Sequence, residues 1–332
     1  MEIPPLADVR RLTEKRRDAW WTVFLVDPVA TPLVRWTAMR TRITPNQITW
    51  AALFLGMGAA ACFALADWKW LILGAVLYHV SFIMDCMDGK LARLTGQGSE
   101  FGAWLDYIFD RIRVLCCAAA LMGGQFYRTD DPVYMWLAVA VIFLDALRYL
   151  DALQIFKVRH GMRKKVQKRL KEVKCSESLS FLEDRLSEQA EEEEADETGE
   201  EAAAAGTEEA LAPAGQPYNH RQQRVIDLQQ TFKKRFGPYE AFRDFLIRHR
   251  VRPHLISGIE FQMAVFIVAP LAGAIVGVTI GAAVLLLIFE LAIIYKLLLS
   301  TRDFQRVMSE LTEEARSHAE SDGTAPLQAS TN

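Results

Sequence analysis

Two apolar blocks, at about 47–156 and 255–300, constrain this chain more than any other feature of its sequence. Each holds runs of roughly 20 mostly apolar residues, the length at which an α-helix crosses the hydrocarbon of a bilayer. In lipid the backbone must satisfy its own hydrogen bonds, so such runs have to be helical. The spacing predicts six spans, at about 48–66, 71–88, 101–123, 133–155, 256–278 and 281–300, the last two joined by a tight glycine-containing turn. The averages over 332 residues (51% hydrophobic, 24% charged, net charge -3) hide this, because a long polar insert dilutes the apolar blocks.

The expected fold class is therefore an all-α integral membrane protein. Residues 1–43 form an interfacial amphipathic segment, with Trp20, Trp21, Phe24 and Leu25 beside a basic run and Trp36 ahead of Arg40 and Arg42. Residues 44–156 carry spans one to four, and 255–302 carry spans five and six. Between them, 157–254 is an insert in three parts. A basic helix continues out of span four to Lys174, an acidic linker with eleven carboxylates over 188–209 follows, and an amphipathic stretch covers 218–250. The remaining 303–332 is a partly disordered tail. No signal peptide is apparent. The five cysteines show no metal-binding spacing and read as small buried apolar residues.

Lysine and arginine placement orients the spans. Basic residues collect on the N-terminal flank, at Lys90 and Arg93, on the insert's flanks and at Lys296 and Arg302, whereas the opposite side offers Lys69 and Arg128. The expectation is a multi-pass protein of the plasma membrane with both termini cytoplasmic and no nucleic-acid partner.

Four aspartates interrupt the apolar blocks. Ionisable residues inside spans are costly and are usually paired or functional. Asp85 and Asp88 are three residues apart and share one helix face; Asp106 and Asp110 are four apart and share another. Four converging carboxylates repel one another unless cations accompany them. Hard oxygen ligands on facing helices suit Mg²⁺ or Mn²⁺, and a carboxylate-bound divalent pair suits a pyrophosphate-containing substrate. Gly89 and Gly102 remove side chains where a substrate approaches the backbone, and Arg93 offers a forked cation for phosphate. The competing explanation is internal ion pairing, of Asp110 with Arg111 or Arg113 and of Asp85 with Arg93.

The spacing D-x2-D-G-x2-A-R-x8-G-x3-D-x3-D, from Asp85 to Asp110, resembles the signature of the CDP-alcohol phosphotransferase family, with every fixed position filled. The resemblance implies transfer of a phospho-alcohol from a CDP ester, such as CDP-diacylglycerol or another CDP-alcohol, to an acceptor alcohol, with release of CMP, by a protein surrounded by membrane lipid. It implies two metal ions on Asp85, Asp88 and Asp106 with Asp110 near one of them, and Asp110 as the general base. It also implies nucleotide contacts from Gly89 and Arg93, with Ser99 where some members use a small hydroxyl residue. Thr44-Pro45-Asn46-Gln47 resembles the segment bordering the nucleotide, and its capping-box chemistry is a sufficient structural explanation alone. Relatives often pair as homodimers.

The acceptor side departs from relatives that use phosphorylated polyols. Asp151 closes span four and Glu260 opens span five, so a neutral or cationic alcohol is expected, although Arg148, Arg250 and Arg252 remain available to a phosphate. Asp145, Arg148 and Asp151 also read as a local i,i+3 ion-pair ladder. Two alternatives stand beside a phospholipid synthase: a synthase of a soluble polyol phosphodiester, and a cation-coupled transporter.

Overall fold

A computed structural model describes residues 4–172, 245–252 and 255–321. Its described residues are helical, with one isolated β-bridge. Helix α1 is Leu6–Thr13 and α2 is Asp27–Arg40, entered through a π-helical turn at Thr22–Val26. The expected single N-terminal helix is thus two, because the chain between them leaves helical conformation to make backbone bonds elsewhere. Helix α3, Pro45–Ala64, starts at the predicted capping box: Gln47 Oε1 accepts the Thr44 N–H at 3.0 Å and Pro45 fills the first turn.

Helix α4, Trp68–Thr95, runs through the first half of the aspartate motif and stops at Gly96, whose φ of 65° is a left-handed cap. Helix α5, Glu100–Thr129, is N-capped by Ser99, whose hydroxyl accepts the Gly102 N–H at 3.0 Å. Helix α6, Val133–Glu172, continues without a break into the predicted basic extension. Helix α7, Gly258–Ala272, opens on a capping box in which Glu260 accepts from the backbone N–H and the hydroxyl of Ser257, and it contains a π-turn at Ala264–Val268. Helix α8 is Ile275–Ser321. The turn joining the last two helices falls at Gly273 (φ 61°), earlier than the expected 279–280, because Gly273 is where left-handed backbone ends α7. The acidic linker and most of the amphipathic stretch predicted for the insert lie outside the described residues, as does the end of the tail.

Among the described residues, four helices are long and apolar enough to cross a membrane: Pro45–Ala64, Trp68–Thr95, Val133–Val166 and Ile275–Ser309. Two of the six expected spans do not qualify by those measures. Helix α5 is long but carries Asp106, Asp110, Arg111 and Arg113, and α7 is short.

The chain divides into two compact units. One holds the described chain up to Ala152 and from Phe245 to Glu290. The other holds α6 from Leu153 and α8 from Leu291. In the first unit α3 packs against both α4 and α5. Its core is aromatic where α7 enters: Phe266 lies 4.8 Å from the Tyr78 ring and 6.3 Å from Phe63, and Tyr78 donates to Gln262 Oε1 at 3.2 Å. Small residues let the helices approach closely, since lipid supplies no hydrophobic drive for helix association. At Gly124 of α5, a Cβ would sit 2.7 Å from the carbonyl oxygens of Phe63 and Ala64 at the end of α3. At neighbouring Gly123 it would meet nothing within 4 Å.

Gly124→Ala is therefore expected to destabilise the protein by about 1–3 kcal/mol, the usual range for overpacking against backbone that cannot yield. Gly123→Ala is expected to be neutral or stabilising by up to about 1 kcal/mol, through helix propensity alone. Unfolding of the two variants in detergent micelles checks the contrast.

Candidate active site

The two acidic faces predicted from the sequence meet in one pocket. Asp85, Asp88 and Gly89 line it from α4, and Asp106 and Asp110 line it from α5. The four carboxylates are satisfied unequally. Asp88 Oδ2 accepts the Thr49 hydroxyl of α3 at 2.6 Å. Asp85 and Asp110 both bind Arg113, whose Nη1 donates to Asp85 Oδ1 at 3.0 Å and whose Nη2 donates to Asp110 Oδ1. Asp106 Oδ1 is buried and has no hydrogen-bond partner among the described residues.

That orphaned oxygen tests whether these residues suit a metal ion. A buried carboxylate oxygen left unpaired is costly, and a hard divalent cation is the partner that carboxylate oxygen prefers. Three other cations at the pocket are directed elsewhere. Lys90 Nζ donates to Asp27 at 2.6 Å, Arg93 donates twice to the Thr13 carbonyl (3.1 and 2.8 Å), and Arg111 pairs with Asp145. The donor set therefore fits Mg²⁺ or Mn²⁺. No group of three or more His, Cys, Asp or Glu side chains among the described residues is already arranged around one ion, and two of the four carboxylates are turned to Arg113.

The remaining predicted residues separate into those at the pocket and those beside it. Gly89 lines the pocket, and a Cβ there would meet only Arg93 Nη1 at 3.7 Å, so packing does not demand a glycine; its missing side chain keeps the wall open. Arg93 also lines the pocket. The anticipated Asp85–Arg93 pair does not form, because eight helical residues separate them by about 12 Å, and Asp85 takes Arg113 instead. Thr44, Pro45, Asn46, Gln47, Ser99 and Gly102 lie outside the lining. Gly102 has a packing role: a Cβ would sit 2.9 Å from Asn46 Oδ1 and 3.0 Å from Ser99 Oγ.

The anticipated ladder on α6 does not form either. Asp145 binds Arg111 of α5 and Gln262 of α7, the latter at 2.8 Å, and Arg148 pairs with Glu290 of α8 at 2.9 Å. Partners across the helix interface take these charges. Glu260 is committed to its capping box, and neither it nor Asp151 lines the pocket. The wall there is instead Tyr107 stacked on Tyr149 (4.5 Å), with the Arg111 guanidinium 5.3 Å from the Tyr149 ring.

Residues 42–175 match the family model described as CDP-alcohol phosphatidyltransferase. This segment is a CDP-alcohol phosphatidyltransferase domain. The chain is 32% identical over 130 residues to the phosphatidylinositol phosphate synthase of Corynebacterium glutamicum, an alignment covering 39% of this chain and 56% of that protein. It is 39% identical over 88 residues to the archaetidylinositol phosphate synthase of Pyrococcus horikoshii (26% and 45%). It is 39% identical over 72 residues to a bifunctional IPC transferase and DIPP synthase of Aquifex aeolicus (21% and 15%). The chain spans about half the length of the two synthases and less of the bifunctional protein.

One wall of the pocket comes from outside the matched segment. Thr13, Lys15, Asp18 and Thr22 line it, and no periodicity or motif in the sequence marks them. They are held by residues near the end of the insert. Asp18 N–H donates to the Arg250 carbonyl (2.9 Å), and Arg252 N–H donates to the Asp18 carbonyl (3.0 Å), forming the lone parallel bridge between Asp18 and Val251. The side chains repeat the link: Arg252 donates to Asp18 at 3.0 Å, and Arg250 donates to Glu14 at 2.7 Å and to the Lys15 carbonyl at 2.9 Å. Burial works to raise the Asp18 carboxyl, but the Arg252 and Lys15 charges and the Ala19 N–H outweigh it and hold it below its ordinary value of 3.8. A carboxyl depressed in the folded state contributes stability above its unfolded pKa, and that contribution is lost as pH falls through the folded value.

Arg252→Met leaves a buried Asp18 charge unpaired and is expected to cost the strap about 3 kcal/mol or more. Trypsin cleavage after Lys15, Arg16 and Arg17 at neutral pH then speeds up at least about tenfold, while Arg252→Lys stays close to wild type.

Proposed function

We propose that this chain transfers a phospho-alcohol, of the phosphatidyl type, from a CDP ester to the hydroxyl of an acceptor alcohol and releases CMP, as a step of phospholipid biosynthesis. The observation that carries this reading is the single pocket lined by Asp85, Asp88, Asp106 and Asp110 from two helices, with Gly89 leaving its wall open. The family match over residues 42–175 and the relatives' printed names support it.

Asp110 is the general base. Arg113 binds one of its oxygens, which orients the carboxylate and leaves the second oxygen to take the acceptor's proton. The acceptor oxygen bonds to the phosphorus bearing the alcohol, the bond from that phosphorus to the bridging oxygen breaks, and CMP leaves. Asp85, Asp88, Asp106 and Asp110 are the residues to hold Mg²⁺ or Mn²⁺, which when bound neutralises charge on the pyrophosphate and its leaving group. Gly89 and Arg93 border the nucleotide's phosphates, and Tyr107 and Tyr149 form the opposite wall.

The acceptor's charge is more open than the sequence suggested. Glu260 and Asp151 were the argument for a neutral or cationic alcohol, and both lie outside the pocket lining. Arg148, Arg250 and Arg252, the arginines left for a phosphate, are paired with Glu290, with Glu14 and with Asp18. For topology, we propose six crossings with α5 and α7 as the third and fifth, and both termini and the pocket on the cytoplasmic side of the plasma membrane.

Purified protein is expected to release CMP from CDP-diacylglycerol when given Mg²⁺ or Mn²⁺ and an acceptor, and to stop when EDTA is added. A panel of a neutral polyol, a phosphorylated polyol and an amino alcohol identifies the acceptor class. Asp110→Asn lowers turnover by about 100-fold or more while CDP-alcohol binding persists. Full activity in Asp110→Asn sinks the base assignment.

A further inference from the structure

Arg93 is an exposed residue on the pocket wall, where a long arginine stem has many rotamers open to it. Its guanidinium is nevertheless held. Thr13 ends α1, and the last carbonyls of a helix have no partner within that helix. The Thr13 carbonyl accepts from both Nε (3.1 Å) and Nη2 (2.8 Å) of Arg93, which occupies one edge of the guanidinium. The remaining nitrogen, Nη1, lies on the other side, 3.7 Å from the point where a Gly89 Cβ would stand. Both Arg93 and Gly89 line the pocket, so the N–H groups of Nη1 are left at the part of the wall that Gly89 keeps open.

The carbonyl that fixes Arg93 is itself fixed from the far end of the insert. Glu14, the next residue, accepts from Arg250 Nη1 at 2.7 Å and from the Thr31 hydroxyl at 3.0 Å. The Lys15 carbonyl accepts from Arg250 Nη2 at 2.9 Å. Asp18 is bound by the backbone of Arg250 and Arg252 and by the Arg252 side chain. Trp20 Nε1 donates to the Leu255 carbonyl at 2.9 Å. A second route reaches the motif from the same arginine: Arg250 Nη2 lies 3.4 Å from Asp27 Oδ2, and Asp27 Oδ1 takes Lys90, the neighbour of Gly89. Neither Arg250 nor Arg252 lines the pocket. Whatever they do for a bound molecule passes through residues 13–22.

We propose that residues 13–22 form a strap that positions Arg93 for the diphosphate of the nucleotide, and that Arg250 and Arg252 set the affinity for that nucleotide by holding the strap. The proposal rests on the transferase reading, since the nucleotide is that reading's donor. Its physical basis is preorganisation: a side chain already ordered by the protein does not lose its rotamer freedom again when the ligand binds. Arg250 and Arg252 are positioning residues, and the distal end of the insert becomes part of the donor site without touching the donor.

The probe is CDP, titrated with Mg²⁺ present into the full-length protein in detergent micelles and followed by calorimetry. Arg252→Met is expected to weaken CDP binding about tenfold, the size of one hydrogen bond to a charged group, and Arg252→Lys to restore it. Arg93→Met is expected to weaken binding by a similar factor. The double variant is expected to lose no more than about twofold beyond Arg93→Met alone, because the strap acts through Arg93. Coupling between two sites is reciprocal, which gives a readout that does not depend on how Arg252→Met folds. Saturating CDP is expected to slow trypsin cleavage after Lys15, Arg16 and Arg17 about tenfold in wild type and to leave it unchanged in Arg93→Met. Wild-type CDP affinity in Arg252→Met, additive losses in the double variant, or equal protection of the strap by CDP with and without Arg93 each overturn the proposal and leave the transferase reading standing. Wild type that binds no CDP overturns that reading, and the proposal with it.

Discussion

Charges buried among apolar helices have no water to neutralise them, and most of the architecture around the pocket follows from how each one finds a partner. Arg113 of α5 reaches Asp85 of α4. Lys90 of α4 reaches Asp27 of α2, Arg111 of α5 reaches Asp145 of α6, and Arg148 of α6 reaches Glu290 of α8. Each pair joins two different helices. Such pairs add little net stability, because desolvating both charges offsets their attraction, but breaking one leaves an uncompensated charge at high cost. They consequently restrict which helix faces can meet. Rotating α4 or α5 away from the common pocket would separate Lys90 from Asp27 or Arg111 from Asp145.

The pocket is also larger in sequence terms than its motif. The matched segment begins at residue 42, yet Thr13, Lys15, Asp18 and Thr22 form one wall, and they are pinned by residues 250–252 at the end of the insert. That end of the insert therefore does not hang free. It is tied by backbone and side-chain bonds to the strand of chain that closes the pocket. Arg250 adopts left-handed backbone (φ 61°) to place both its carbonyl and its guanidinium on that strand, a conformation that costs a non-glycine residue energy and is kept because several bonds hold it. The aspartate spacing in α4 and α5 is thus a pattern the sequence displays, while part of the pocket's enclosure has none.

Local chemistry was legible wherever a residue acts on its near neighbours. The capping box at Thr44, the helix running through Asp85 and Asp88 and the continuation of α6 into a basic extension all follow from propensities over a few residues. The carboxylate faces at i,i+3 and i,i+4 were likewise fixed by helical period. Readings that needed a partner from elsewhere failed or shifted. Asp85 was assigned Arg93 from proximity in sequence and takes Arg113; the Asp145–Arg148 ladder dissolves into two interhelical pairs; Glu260, a candidate for the acceptor, caps its own helix. The last turn moved to Gly273 because apolar periodicity does not mark where a left-handed residue interrupts a helix.

By itself the sequence determined that this protein is helical and membrane-embedded, and that four aspartates sit on two helix faces within a CDP-alcohol phosphatidyltransferase motif. Period and hydropathy are properties of contiguous residues, so they survive without a structure. Only the tertiary structure decided which carboxylate oxygens have protein partners, that Arg113 sits between Asp85 and Asp110, and that Gly56 on a third helix makes room for its stem. Those facts depend on distances between residues tens or hundreds of positions apart, and no local preference encodes them; they are set by the need to pack helices closely while leaving no buried charge alone.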